Sequence, residues 1–136
     1  MNRNFLGILT TMTMALLISV PLSAQTIARV TVPFDFTVGR TQMSAGTYEI
    51  NPLHDAIVIR DTKAAKSALS MVRSERSRNS DSETKLVFNS YSDKYFLSQV
   101  SRGFGGGVMQ LPTSKLEKEV RIASSNVTRK VVVAAK

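Results

Sequence analysis

Alternation of apolar and polar residues is the strongest pattern in this chain, and it is clearest between Ile27 and Gly39. Apolar side chains fall on every second position there, and mostly polar side chains lie between them. A period of two predicts a β-strand with one face in a core and the other in water. The apolar row consists of Val30, Val32, Phe34, Phe36 and Val38. Pro33 lies in the polar row and cannot donate a ladder hydrogen bond, so it predicts an edge strand or a bulge.

A hairpin is predicted next. In residues 47–50 the alternation directs Tyr48 and Ile50 inward. Four consecutive apolar residues at 56–59 follow a turn that contains proline and aspartate. An unbroken apolar run of this kind is typical of a strand that is covered on both faces, at the centre of a sheet. Residues 47–50 and 56–60 are therefore expected to pair.

The middle of the chain contains one ambiguous segment, one polar segment and one clear hairpin. Residues 67–73 fit either a weak strand or a short helix, and propensity does not decide between them. Residues 75–84 are polar, rich in serine and charged with both signs, so they predict a mobile loop with nothing to bury. Over residues 85–101, two apolar runs flank a stretch of asparagine, serine and aspartate, which predicts the second hairpin.

One helix is predicted, over residues 114–125. Ser114 and Glu117 have the spacing of a capping box, in which each side chain binds the backbone N–H of the other residue. An apolar stripe at helical spacing predicts that the helix packs on the core. The stripe consists of Leu116, Val120 and Ala123. The tail, residues 126–136, is either a frayed end or a last strand, and its three consecutive valines favour the strand.

Together these elements predict a single, mainly β domain. Its architecture is a small antiparallel sandwich, or a barrel-like meander of six to seven strands, with one C-terminal amphipathic helix. The row from Val30 to Val38 forms one wall of the core, and the other strands and the helix close it. Burial of five such side chains at about 1.5–3 kcal/mol each contributes on the order of 10 kcal/mol before conformational entropy is subtracted.

The N-terminal segment is predicted to lie outside this fold. Arg3 precedes an uncharged apolar stretch, Pro21 follows it, and Ala24 supplies a small residue at the end, which is the order of a secretory signal. The alternative is an uncleaved membrane anchor, although the apolar stretch is shorter than the roughly 20 residues of a spanning helix. Cleavage of residues 1–24 leaves 25–136, one domain in length, in the periplasm or outside the cell.

Net charge and the absence of cysteine limit the partners and the reactions that are open to this chain. The formal net charge is +8, and loss of the signal segment lowers it by one unit. An exported basic protein meets anionic partners such as lipid headgroups, surface polysaccharide or extracellular nucleic acid. Cysteine is absent, which excludes disulfides, thiolate ligands, a thiol nucleophile and a lipid-modified cysteine.

A resemblance is visible in the order of four motifs: VPFDFTVG, AGTYEI, LVFNSYSDKYFLSQV and LPTSKLEKEV. This order resembles a group of small secreted β-rich proteins found mostly in acidobacteria, over roughly residues 28–122. The present chain departs from that group's pattern where it has Met43-Ser44 in place of Leu-Pro, and Asn89-Ser90 in place of His-Arg. Ser92 replaces the glycine of the hairpin. The resemblance implies export and a β-rich fold, and it implies no particular reaction.

Residues that could support catalysis are few and scattered. His54 is the only histidine, and Asp55 and Asp61 near it lack the spacing of metal ligands or of a nucleophile elbow. Asp35 and Glu49 are interpreted as solvent-side carboxylates of two strands rather than as a glycosidase pair. The sequence therefore predicts no enzyme, no metal and no cofactor, and a hydrolase is only a remote alternative.

Basic residues offer the one candidate binding surface. The possible contacts with anionic surfaces are Lys63, Lys66, Arg73, Arg76 and Arg78. Nucleic-acid modules interleave such charges with exposed aromatic rings, whereas most aromatic residues of this chain alternate inward, so no specific nucleic-acid partner is predicted. The leading hypothesis is a monomeric structural or interaction protein of the envelope or exterior, with anionic polymers or lipid headgroups as partners. The alternative is a carrier that encloses a small apolar ligand in a barrel cavity.

Overall fold

The computed structural model describes residues 28–76, 82–103, 106–125 and 127–135. The predicted signal segment lies outside these ranges. The described residues form eleven strands and one helix. In the first half are β1 (Ala28–Val32), β2 (Phe36–Val38), β3 (Thr41–Met43), β4 (Gly46–Pro52), β5 (Ala56–Asp61), β6 (Ser67–Met71) and β7 (Arg73–Glu75). In the second half are β8 (Lys85–Tyr91), β9 (Lys94–Ser101), β10 (Val108–Gln110), α1 (Lys115–Ala123) and β11 (Arg129–Ala134).

The strands form two sheets. The first, called sheet A, is antiparallel and has the order β1-β4-β5-β6. The second, called sheet B, has the order β11-β8-β9-β10-β7 and curves into a half-barrel. Strand β2 joins sheet B through a parallel contact between Thr37 and Phe96 of β9, and β3 pairs antiparallel with β2. The predicted mainly β fold is confirmed.

Three segments of chain run from one sheet into the other, and one of them is the short link of Ser44 and Ala45 between β3 of sheet B and β4 of sheet A. Strand β1 belongs to sheet A and β2 to sheet B, and Pro33 lies exposed in the short bend between them. Strand β6 of sheet A likewise continues through Val72 into β7 of sheet B. The prediction of one strand from Ile27 to Gly39 is therefore wrong in its continuity, although β1 lies at an edge of sheet A, which was one of the two alternatives that Pro33 predicted. These breaks, and the three-residue strands β3 and β10, raise the count above the six to seven expected.

The core lies between the sheets, and the N-terminal apolar row contributes to both. Val30 and Val32 reach it from β1, and Phe36 and Val38 reach it from β2, each with at most 2% of its surface exposed. Phe34, in the bend, is only partly buried; its ring stacks on Tyr95 and meets Phe88 edge-on. Four of the five predicted positions are thus fully buried, and the fifth lies at the rim. The rest of the core comprises Met43, Tyr48, Ile50, Ile57, Ile59, Ala68, Leu86, Phe88, Leu97, Val100 and Met109.

Both predicted hairpins are present, as β4–β5 and β8–β9. Strand β5 is central in sheet A, as expected, but its outer face is not covered, because Val58 is half-buried and Arg60 is exposed. The ambiguous segment 67–73 is extended, since β6 pairs with β5 along its whole length.

The helix lies on the outer side of the fold, and its packing differs from the prediction. It spans Lys115–Ala123, within the predicted 114–125, and the Ser114 Oγ accepts a hydrogen bond from the Glu117 N–H at 3.1 Å. The predicted apolar stripe is wrong, because Leu116 is 45% exposed and Ala123 is exposed. The two sheets already close the core by themselves, so the helix does not serve as one of its walls.

A buried carboxylate holds this helix to the sheet instead. Glu117 is only 4% exposed, and its Oε1 accepts hydrogen bonds from Asn89 Nδ2 at 2.8 Å and from the Tyr91 hydroxyl at 3.0 Å. Both donors lie on β8, and Tyr91 packs edge-on against Phe96 of β9. A charged acceptor with two donors is a strong local anchor, so α1 is attached mainly through polar contacts.

The remaining predictions concern the polar segment 75–84 and the tail. Glu75 pairs with Val108, and Thr84 is buried, so the ends of the predicted loop belong to the packed structure. Residues 77–81 lie outside the described ranges. The tail is a strand, since β11 pairs antiparallel with β8 along six residues.

Truncation of the two phenylalanines tests the division of the apolar row. Phe36→Ala should lower the free energy of unfolding by about 3–5 kcal/mol, because it removes a fully buried ring. Phe34→Ala should cost clearly less, because that ring lies at the rim. Urea unfolding followed by far-ultraviolet circular dichroism measures both changes, and equal losses would contradict this account of the core.

Removal of the Tyr91 hydroxyl tests the helix anchor. Tyr91→Phe should lower the free energy of unfolding by about 1–3 kcal/mol at neutral pH, because a buried carboxylate loses one of two donors. Tyr95→Phe is the matched control, since that tyrosine is only partly buried and its ring stacks on Phe34, away from the Glu117 anchor. Burial raises the pKa of Tyr91 above its ordinary value of 10.0, and the charge of Glu117 raises it further.

A tyrosine with a raised pKa contributes stability that is complete below pH of about 10 and is lost as the pH rises through the folded-state pKa. Wild-type stability should therefore fall above about pH 10. Because phenylalanine does not titrate, Tyr91→Phe should show a smaller alkaline loss than Tyr95→Phe. Unfolding curves recorded from neutral pH to above about pH 10 measure this loss. If the two variants lost stability equally, the alkaline loss would not come from Tyr91.

Candidate functional site

The turn between β5 and β6 presents two of the predicted basic residues. Lys63 and Lys66 are exposed on this turn. The Asp61 Oδ1 accepts hydrogen bonds from the backbone N–H groups of Lys63 at 2.8 Å and of Ala64 at 3.1 Å. These two bonds lower the pKa of Asp61, and the ammonium groups of Lys63 and Lys66 lower it further. The carboxylate thus orders the turn, and both lysines extend from it into solvent.

Two further predicted residues lie at the opposite end of the β6–β7 segment. Arg73 is exposed on β7, opposite Gln110 of β10, and Arg76 is exposed just beyond the strand. Between them, the Glu75 Oε2 accepts a hydrogen bond from Gln110 Nε2 at 3.3 Å. Lys66 and Arg73 are seven positions apart, which is roughly 23 Å of extended chain. Arg78, the fifth predicted residue, lies outside the described ranges.

Arg60 was not among the predicted contacts, but it belongs with them. It is exposed on the outer face of β5, where it lies opposite Ser67 of β6, and so it stands next to the Lys63–Lys66 turn. The structure therefore arranges the charges as an elongated band with a cationic group at each end. This basic band consists of Arg60, Lys63, Lys66, Arg73 and Arg76.

Large apolar side chains lie between the two ends of the basic band. Leu69 is 63% exposed and Met71 is 61% exposed, both on the outer face of β6. Val58 lies opposite Leu69 and is half-buried. Leu53, 53% exposed, donates its backbone N–H to Ala56, the residue opposite Met71. This apolar patch consists of Leu53, Val58, Leu69 and Met71.

Sequence reasoning missed the apolar patch because the alternation in SALSM does not state which set of residues faces inward. The structure buries the small residues Ala68 and Ser70 and exposes Leu69 and Met71. At this position β6 approaches β2 on its way into the other sheet. Small inward side chains let the two strands come close, so the larger residues point to solvent.

Several clefts open on the described surface. One of about 480 Å³ adjoins the apolar patch and is lined by Met71, Val72, Arg73, Leu111 and neighbouring residues. A second, of about 310 Å³, lies between α1 and strands β2 and β9. A third, of about 710 Å³, separates the edge strands β1 and β11. The first adjoins Arg73 of the basic band, and a smaller cleft of about 230 Å³ adjoins Arg76.

The histidine considered for catalysis lies in solvent, and Glu49 and Asp35 each have a partner of their own. The His54 side chain is 98% exposed and lies 3.9 Å from Asp55. Glu49 pairs with Arg29 at 2.7 Å, and Asp35 accepts a hydrogen bond from a backbone N–H, also at 2.7 Å. Within the described residues, no three or more His, Cys, Asp or Glu side chains come together as a metal site would require.

The described part of the chain contains no helix of the length and apolar character needed to cross a membrane. The chain matches no protein-family model, no curated protein and no solved structure. The resemblance to the acidobacterial group therefore stays a prediction, and any inference about function rests on the basic band and the apolar patch.

Proposed function

We propose that this chain is an exported, non-enzymatic structural or interaction protein of the cell envelope or exterior, which binds anionic partners through the basic band. The N-terminal sequence has the order of a secretory signal, which supports a location in the periplasm or outside the cell. The net charge of +8, which becomes +7 once residues 1–24 with Arg3 are removed, supports association with anionic polymers or lipid headgroups.

One observation carries the proposal. Lys63 and Lys66 extend from a turn that Asp61 orders, while Arg60 adds a third cation beside them. Because the turn is already held in place, binding does not have to order it, and the charges act together on one partner. Asp61 reduces the local charge, but its Oδ1 is already bonded to two backbone N–H groups of the same turn.

The carrier hypothesis receives less support. It requires a ligand cavity inside the barrel, whereas the described interior contains tightly buried side chains from both sheets. An apolar ligand would instead have to use one of the surface clefts. A hydrolase has still less support, since His54 lies fully in solvent beside Asp55 and away from the clefts described above.

Charge removal at the ordered turn tests the proposal. Lys63→Gln/Lys66→Gln should weaken binding to dextran sulfate on the order of tenfold at low salt, because the two ammonium groups contact the polymer directly. Binding should also weaken as the salt concentration rises, because the Debye length, over which charges attract one another, falls to a few ångströms near molar ionic strength. Isothermal titration calorimetry measures the binding. The protein is expressed as the full chain and purified after the producing cell has removed the signal segment.

A matched control separates the site from net charge. Lys115→Gln/Lys118→Gln removes two exposed lysines at the same sequence spacing from α1, and it should change the affinity less than twofold. If both double variants weaken binding equally, the interaction depends on net charge and the site is wrong. If the wild-type protein does not bind at low salt, the proposed function is wrong.

A further inference from the structure

The outer face of β6 reverses the usual distribution of side chains on a half-exposed strand. Leu69 and Met71 are more than 60% exposed, whereas Ala68 and Ser70 on the opposite face are buried. The strand lies at the edge of sheet A, so its outer face has only β5 beside it. Scattered exposed apolar residues need no explanation, but contiguous ones mark a contact surface.

The exposed apolar side chains are contiguous across neighbouring strands. Leu69 lies opposite Val58, and Met71 lies opposite Ala56, whose carbonyl accepts the Leu53 N–H at 2.8 Å. Adjacent strands are about 4.8 Å apart, so these side chains form one continuous surface. The cleft of about 480 Å³ extends it past Met71 to Leu111.

Cations flank this apolar surface along the chain, Lys66 just before β6 and Arg73 at the start of β7. Leu69 lies three residues from Lys66, and Met71 lies two residues from Arg73, which is about 10 Å and 7 Å of extended chain. Arg60 stands beside Ser67 at the first end. Lysine and arginine can lay their aliphatic stems along an apolar surface and keep the charged end in a polar layer.

Acidic residues near the apolar patch only partly offset the cations. Asp61 is bonded to the turn, and Glu75 accepts a hydrogen bond from Gln110. Asp55, at the turn after Leu53, lies beside His54 at 3.9 Å. Glu49 lies opposite Arg60 and forms an ion pair with Arg29 at 2.7 Å. The five cations of the basic band and Arg29 thus face four carboxylates, and the surface keeps a positive balance.

The surface combines exposed apolar side chains with flanking cations, and this combination indicates the chemistry of its partner. A hydrophilic polyanion neutralises the cations but gives Leu69 and Met71 no apolar environment. The surface of an anionic bilayer offers both, since negative headgroups attract lysine and arginine and the boundary with the acyl chains accepts apolar side chains.

Building on the proposed function, we infer that the partner is an anionic lipid bilayer, and that Leu69 and Met71 insert at its headgroup boundary while the basic band contacts the headgroups. The protein then binds peripherally, with the outer face of β5 and β6 toward the membrane. Fluorescence and sedimentation with vesicles test this orientation.

Sedimentation measures the apolar contribution. Leu69→Ser/Met71→Ser should lower partitioning onto phosphatidylglycerol–phosphatidylcholine vesicles at least tenfold and leave the affinity for dextran sulfate unchanged. Both side chains are largely exposed, so the variant should keep the wild-type thermal midpoint. Ile122→Ser/Val132→Ser is the matched control, because it removes two other exposed apolar side chains, 70% and 56% exposed, from α1 and β11. Its partitioning should change less than twofold.

A tryptophan reporter measures insertion directly. The chain contains no tryptophan, so Leu69→Trp introduces a single emitter. Its emission should shift to shorter wavelength with anionic vesicles and not with pure phosphatidylcholine, and lipids that carry a shallow bromine label should quench it. Ile122→Trp should show neither effect.

The outcomes separate this inference from the proposed function. If dextran sulfate binds and the Leu69→Trp emission stays unchanged with anionic vesicles, or if the serine variant partitions like wild type, the bilayer inference is wrong and a polymeric anion remains as partner. If the protein binds neither dextran sulfate nor vesicles at low salt, both the proposed function and the bilayer inference are wrong. If the control variants lose partitioning equally, the orientation is wrong.

Discussion

The fold depends on burial of one apolar row by two sheets at once. Val30 and Val32 enter the core from sheet A, and Phe36 and Val38 enter it from sheet B, because the chain bends at Pro33 and Phe34 between them. Proline suits this position, since a residue in the bend has no ladder hydrogen bond to lose. Without disulfides or a helix in the core, this shared burial is the main link between the layers.

The crossing from β6 to β7 has a different consequence. It brings β6 close to β2, and only small side chains fit on the inward face there. Leu69 and Met71 are therefore directed outward, next to a turn that presents two lysines. The same constraint that closes the corner of the barrel thus produces the surface on which the functional proposals rest. The five residues of β6 thus supply both an inward face that packs in the core and an outward face that belongs to the proposed binding surface.

In the helix, the spacing of apolar residues does not determine how the helix is attached to the sheet. Its apolar residues are largely exposed, while Glu117 is buried against Asn89 and Tyr91. The N-cap interaction that identified the helix from sequence is present. Local hydrogen bonding is set within four residues and could be predicted; the partners of the carboxylate lie 26 and 28 residues away and could not.

From the sequence alone came the mainly β class, both hairpins, the edge character of the first strand, the position of the helix and the excess of positive charge. These features follow from periodicity, turn residues and composition, which are local properties. Tertiary structure decided where the first strand breaks, which face of β6 is buried, how the helix is held and that Arg60 joins the two lysines. Each of these depends on which distant segments lie side by side, because the space available to a side chain is set by its neighbours across the sheet.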